Sequence, residues 1–307
     1  MELSNVKEII TPQGNLKKIL RGDVVIWSKK ASDLKYTIWK NGELIDRVTM
    51  SQFVNKIQNG DARFDYGIGA QIMIPYTDPF NDVTYDCPFN FGTFTQYPGK
   101  LGLQAGYSIP SRTFNYGEQK DATNNDRSCK WEDSYIFKWL NSYSAHNITV
   151  GNYKNTNKGF LSCIPQDFVA SLQTIPFKNT ECKIFILTAS QHNIISTYTY
   201  NKSSTQYIYE VEDESEYGVW EYWQNLIGEP AKFNTTNYNY YTNNIININT
   251  TAKSVAGVTI FPSIVSYTQK TSKQTTSRYD MVAINNMQIS TLQASLTSNF
   301  RPACVIG

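Results

Sequence analysis

Short apolar runs separated by turn residues open the chain. Val6-Lys7-Glu8-Ile9-Ile10 stops at Thr11-Pro12-Gln13-Gly14-Asn15, where proline and glycine stand as turn geometry requires. Leu16-Lys17-Lys18-Ile19-Leu20 meets Arg21-Gly22-Asp23, and Val24-Val25-Ile26-Trp27 follows. The pattern predicts a small β meander over residues 1–30. The Arg-Gly-Asp triplet falls where a hairpin needs a glycine-containing turn, which accounts for it without an adhesive role. So small a meander buries too little apolar surface to stand alone, so it is expected to dock on the rest of the chain, on a neighbouring copy or on a larger particle. Ser28-Lys29-Lys30-Ala31-Ser32-Asp33 reads as a linker.

The patterning then changes. Leu34–Trp39 and Leu44-Ile45 flank Asn41-Gly42, a strong hairpin signal. Thr49 or Ser51 can cap a short helix with Met50, Phe53, Val54 and Ile57 on one face and Gly60 near its end. Strands are predicted at Ala70–Ile74 and near Phe89–Phe94. Trp131, Tyr135, Ile136, Trp139, Leu140 and Tyr143 fall at helical spacing. So do Phe168, Val169, Leu172 and Ile175, behind Pro165. Cys182–Leu187 predicts a strand covered on both faces, and Val219–Ile227 a helix ending at Gly228. Residues 233–251, rich in Asn, Thr and Tyr, read as a long loop. Later strands are expected at Val258–Phe261, Met281–Ile284 and Cys304–Ile306. The fold class is therefore α+β, with one mixed domain over 34–307 and an optional sub-boundary near residue 60.

Composition narrows what such a domain can do. Charged residues are only 18% of the 307, aromatics are 14%, and net charge is +2. Uncharged polar residues and rings supply much of the surface, and no basic excess points to nucleic acid. The first eight residues lack the basic and apolar regions of a secretory signal, so folding in a cytoplasm is expected. No run approaches the roughly 20 apolar residues of a membrane span. Five widely spaced cysteines with no C-x-x-C pair read as buried thiols rather than disulfides or a zinc site.

Candidate chemistry is sparse. The two histidines, His146 and His192, lie in no metal or nucleophile motif, and structural or surface roles are expected for both. No P-loop, H-E-x-x-H or G-x-S-x-G is present, so no catalytic residue, metal ligand or cofactor is nominated. The acidic run Glu210–Glu216 could hold a hard cation, but without spaced ligands around a central glycine it reads as a solvated loop. Two distant carboxylates could serve a glycosidase, and nothing nominates the pair. The leading binding candidates are aromatic: Tyr217, Trp220, Trp223, Tyr238, Tyr240 and Tyr241. Flat rings with polar tips suit sugar and protein surfaces. Burial of Trp220 and Trp223 on their helix face is the competing expectation.

With these elements placed, two resemblances emerge. Val6–Ile9, Thr11–Gly14, Lys18-Ile19 and Val25–Trp27 resemble a module that opens many structural proteins of phages infecting gut Firmicutes. Tyr66–Gly69, Trp131, Ser134, Trp139–Asn141, Gly159–Leu161, Ile184–Ser190 and Phe300–Ala303 resemble an uncharacterised family of phage and bacterial surface domains. Those blocks span most of residues 62–307. The closing Phe300-Arg301-Pro302 is similar to the end of C-type-lectin-like domains. The chain departs from the family at Glu221-Tyr222-Trp223-Gln224, where an Arg-rich segment is usual, so no ligand contacts carry over there.

The resemblance implies a virion protein: a head fibre, a decoration protein, or a tail or baseplate component. Residues 1–30 would contact other virion proteins, and the lectin-like domain would meet host-surface glycan or protein. A homo-oligomer, preferably a trimer, is expected of such an appendage. A wall- or polysaccharide-degrading enzyme and a ligand-free spacer are the alternatives.

Overall fold

The computed structural model describes residues 18–21, 24–28, 34–79, 82–106, 109–113, 130–144, 158–194, 198–202, 204–229, 259–272, 275–285, 288–292 and 297–307. The strand expected at residues 6–10 and the loop at 233–251 lie outside them, as does Cys129. β1 (Lys18–Arg21) pairs antiparallel with β2 (Val24–Ser28), with Arg21 opposite Val24. β3 (Lys35–Lys40) and β4 (Glu43–Thr49) form the hairpin predicted by Asn41-Gly42. Both turn residues have positive φ, 52° and 85°, as a type I′ turn demands.

Thr49 is the cap of α1 (Met50–Gln58): its hydroxyl accepts from the Gln52 backbone N–H, and the Gln52 side chain accepts from Thr49 in return. Met50, Phe53 and Ile57 are buried, as their spacing predicts. α2 (Asp61–Asp65) follows, then β5 (Gln71–Thr77), β6 (Thr84–Thr93), β7 (Leu101–Ala105) and β8 (Ile109–Thr113).

Several predicted elements prove shorter. α3 (Tyr135–Leu140) starts only after Ser134, whose hydroxyl caps Phe137 N. Trp131 therefore sits in the preceding turn, and Tyr143 is exposed beyond the helix. α4 (Gln166–Ser171) ends where Leu172 turns extended at ψ 131°, so Ile175 belongs to β9 (Ile175–Phe177) rather than to a helix. The run at Cys182–Leu187 is two strands, not one. Cys182 ends β10 (Thr180–Cys182), and β11 (Ile184–Ile186) joins another sheet. Asn141 separates them: its Oδ1 accepts from Lys183 N (2.8 Å) and Ile184 N (3.0 Å), and its Nδ2 donates to Ile184 O (2.8 Å). One amide thus satisfies the start of the outer edge of β11, beside which no further strand stands among the described residues.

The remaining elements are β12 (Tyr198–Lys202), β13 (Thr205–Val211), α5 (Glu221–Ile227), β14 (Thr259–Lys270), β15 (Thr275–Asn285), β16 (Gln288–Leu292), β17 (Thr297–Phe300) and β18 (Pro302–Ile306). A seven-stranded antiparallel sheet runs β11-β18-β7-β6-β5-β3-β4. β3 pairs β5 across residue 60, so no break in this sheet falls there. A second sheet runs β12-β13-β14-β15-β16, with β17 beside β14 and β8 beside β17. The architecture is mixed α+β dominated by antiparallel sheet.

The central sheet is covered on both faces over most of its width. On one, Phe53 of α1 meets Phe91 (centroids 5.4 Å), and Phe168 of α4 meets Phe89 (5.8 Å). Each ring so buried contributes roughly 1.5–3 kcal/mol. The other face carries an in-register row of amides, Gln71, Asn90 and Gln104, all buried. At the β4 edge, Ile45 is the extra residue of a bulge, and Glu43, Asp46 and Arg47 add charge. Both features discourage pairing with another strand. Cys87, Cys163, Cys182 and Cys304 are buried free thiols, and no helix among the described residues is long and apolar enough to cross a membrane.

Candidate functional site

The site candidate grows from the tight turn joining β9 and β10. Lys178 (φ 43°) and Asn179 (φ 60°) both adopt left-handed backbone, again the requirement of a two-residue hairpin. The turn is held by the Lys178 N–H donating to the Tyr217 hydroxyl at 2.9 Å, and by Phe177 packing on the Tyr217 ring at 5.2 Å. Trp131 meets Phe177 edge-on at 5.5 Å. This aromatic floor carries a cavity of about 250 Å³, whose polar lining includes Lys130, Glu132, Lys178, Glu212, Glu214 and Glu216.

Electrostatics fix the interior of that cavity. The Lys178 side chain is 9% exposed and that of Glu214 2%. The ammonium pairs with Glu214 and lies 2.8 Å from Glu212 Oε2. Burial alone would lower the Lys178 pKa, but the Glu214 and Glu212 carboxylates outweigh it and hold the amine above its ordinary value. Burial also raises the Tyr217 phenol. The lining holds two more carboxylates than ammonium groups. A cationic or hydrogen-bonding ligand suits it better than an anion.

The acidic run therefore behaves differently along its length. Glu212, Asp213 and Glu216 are exposed, as a solvated loop predicts, whereas Glu214 is a buried ion-pair partner. Asp213 accepts from Ser215 N at 3.1 Å, which lowers its pKa and shapes the loop. No group of three or more His, Cys, Asp or Glu among the described residues is placed to hold a metal ion.

Of the six predicted aromatic ligand contacts, Tyr217 lines the cavity, and Tyr238, Tyr240 and Tyr241 lie outside the described residues. Trp220 and Trp223 require correction: both are buried, at 0% and 1%, and offer no ring face to a ligand. Trp220 lies flat on the second face of the central sheet, over Gly92 and Gly102. A Cβ at Gly92 would stand 2.2 Å from its ring and one at Gly102 2.9 Å, so the indole fills space that side chains would need.

Trp223 belongs to a closed polar network. Its indole N–H donates to Gln104 Oε1 (2.9 Å), Gln104 Nε2 lies 3.1 Å from His192 Nε2, and His192 Nδ1 lies 2.8 Å from Thr188 O. A carbonyl only accepts, so Nδ1 carries the proton and the bare Nε2 accepts from Gln104. Burial first, and the Arg301 charge second, depress His192 to about 3, keeping it neutral. Arg301 donates to Ala105 O (2.8 Å) and Gly106 O (3.0 Å), and its guanidinium stacks 5.5 Å from the Trp223 ring. His192 is thus structural. His146 is outside the described residues.

At the position where the resemblance fails, Glu221 has a structural task. Its Oε2 accepts from Phe94 N (2.7 Å), Thr95 N (3.2 Å) and Thr93 Oγ1 (3.3 Å), tying α5 to the loop after β6. An arginine could not accept these bonds. Lys130, Glu132, Lys178 and Asn179 were not singled out from the sequence. The usable signal was Lys178-Asn179 between Ile175-Pro176-Phe177 and Thr180-Glu181-Cys182, an asparagine turn obscured by the helical spacing of Ile175. Comparison with protein-family models, curated proteins and solved structures found no match to this chain.

Proposed function

We propose that the chain is a binding component of a bacteriophage particle, with a C-type-lectin-like α+β domain that presents the Lys178–Tyr217 cavity to host-surface glycan or protein. The cavity carries the binding half of this reading: rigid turn, aromatic floor, polar rim and a buried ion pair fixing the wall. The phage half rests on the resemblance of residues 6–27 and of the blocks between 66 and 303. Residues 1–30 would contact other virion proteins, and a trimer would multiply a weak single-site affinity.

The purified protein is expected to sediment as a trimer and to adhere to isolated cell envelopes of the host. Replacing the rim carboxylates, Glu132→Gln with Glu216→Gln, should weaken adherence without loss of fold. Unchanged adherence by that variant would remove the cavity from the reading. Release of new reducing ends from host wall polysaccharide would instead favour the degrading-enzyme alternative.

A further inference from the structure

The charges around the Lys178–Tyr217 cavity divide by burial. Lys178 and Glu214 are withdrawn into the wall, with side chains 9% and 2% exposed, and balance one another there. Lys178 also donates to Glu212 Oε2 at 2.8 Å, so its ammonium is committed to the wall and is not offered to a ligand. The solvent side carries a different set. Glu212 and Glu216 are exposed and Glu132 is half-buried, against the one exposed ammonium of the lining, that of Lys130. A ligand entering the cavity therefore meets an acidic rim in front of a wall whose own charge is already balanced.

An acidic rim alone would select nothing beyond positive charge, and the floor adds shape. The Tyr217 ring is half-buried and backed by Phe177 at 5.2 Å, and Trp131 braces that Phe177 edge-on at 5.5 Å. The Tyr217 oxygen accepts from Lys178 N at 2.9 Å, which holds the phenol in place, and a phenol that accepts can still donate its own proton. The exposed Asn179 adds an amide to the same lining. At about 250 Å³ the cavity is smaller than the roughly 300–1,000 Å³ usual for drug-sized ligands, so it accommodates one ring rather than a chain of them.

From this arrangement, and resting on the binding reading above, we infer that the cavity takes the terminal residue of an amino-sugar polymer. The protonated amine sits at the acidic rim and the sugar ring lies on Tyr217. An ammonium answers the rim by charge, and its three N–H donors match carboxylates, which only accept. The C–H face of a pyranose suits the flat ring of Tyr217, and the hydroxyls at its edge suit the phenol and the Asn179 amide. A lysine side chain brings the same ammonium on a flexible stem, with rotamer freedom to lose and no hydroxyls for Tyr217 and Asn179 to meet. An N-acetylated sugar keeps the ring but loses the charge. A sulfated or phosphorylated one sets an anion against the carboxylates.

Isothermal titration calorimetry of the full chain with a glucosamine tetramer tests it, with N-acetylglucosamine tetramer, glucose tetramer and tetralysine as comparison ligands. The glucosamine tetramer should bind, should weaken as salt is added, and should exceed each of the other three by about tenfold. Glu132→Gln with Glu216→Gln should weaken it by about tenfold, since two ion pairs with the amine are removed. Because Glu132 is half-buried and its loss could disturb the wall, Lys130→Gln supplies a change of opposite sign. Removing the rim's own cation should tighten binding by about threefold, and unchanged or weaker binding there would overturn the inference. Equal binding of the N-acetylated or the glucose tetramer would overturn the amine and leave a glycan-binding cavity, and a preference for tetralysine would overturn the sugar. A protein that binds none of the four, yet adheres to host envelopes through Glu132 and Glu216, would sink the ligand class and leave the cavity reading intact. Adherence indifferent to those two carboxylates would remove both.

Discussion

At the scale of single residues, two buried polar groups set measurable consequences. Lys178 and Glu214 are paired inside the cavity wall, so removing one partner strands the other without solvent. Lys178→Met should destabilise the protein by about 3 kcal/mol in urea unfolding, and adding Glu214→Leu should recover much of that loss. His192 gives a pH signature. Its folded pKa of about 3 lies below the ordinary value near 6.5, so its contribution is complete above pH 6.5 and is lost as pH falls toward 3. Between pH 7.5 and 5, where most carboxylates stay ionised, stability should fall by about 2 kcal/mol from this residue alone. His192→Gln should flatten that slope in chemical denaturation, and an unchanged slope would place the imidazole elsewhere than beside Gln104 and Thr188.

At the scale of elements, the packing of Trp220 on β6 and β7 depends on bare backbone. Gly92→Ala should cost about 1–3 kcal/mol in thermal unfolding, because the sheet cannot move away from the indole. In a Trp220→Leu background the same change should cost much less, since the two residues share one space. This pair also shows what patterning can and cannot reveal. The hairpin with its Asn41-Gly42 turn, the Thr49 cap and the apolar face of α1 are local, and each was legible from the sequence. The helix lengths were not: Ser134 starts α3 with a side-chain cap inside a run that is periodic on both sides of it, and Leu172 ends α4 by turning extended. Tyr217 could be singled out as an aromatic beside an acidic run, but its partners Trp131 and Lys178 are distant in sequence. Trp220 read as a ligand contact or, more readily, as core, and two glycines more than a hundred residues earlier decide for core.

At the scale of the whole molecule, the order in which the sheet closes is the governing feature. β18 lies between β11 and β7, all five of its residues are buried, and its partners are Ile184–Ile186 and Leu101–Gln104. Arg301, one residue before it, closes onto Ala105 and Gly106. The sheet therefore cannot be completed until the last strand arrives, and the edge of β7 that faces away from β6 must wait for a partner about two hundred residues away. Pairings of such separation make folding slow, because loop closure precedes the reward of contact. Deleting residues 302–307 should do more than remove six residues. It would leave the inner edges of β7 and β11 unpaired inside the core, two orphaned strand edges where none existed. The truncated chain is expected to keep much of its far-ultraviolet circular dichroism, lose its near-ultraviolet signal and bind a hydrophobic dye, the behaviour of a collapsed but unpacked chain. A cooperative unfolding transition in that truncation would show that β18 is an accessory to the sheet and not its keystone.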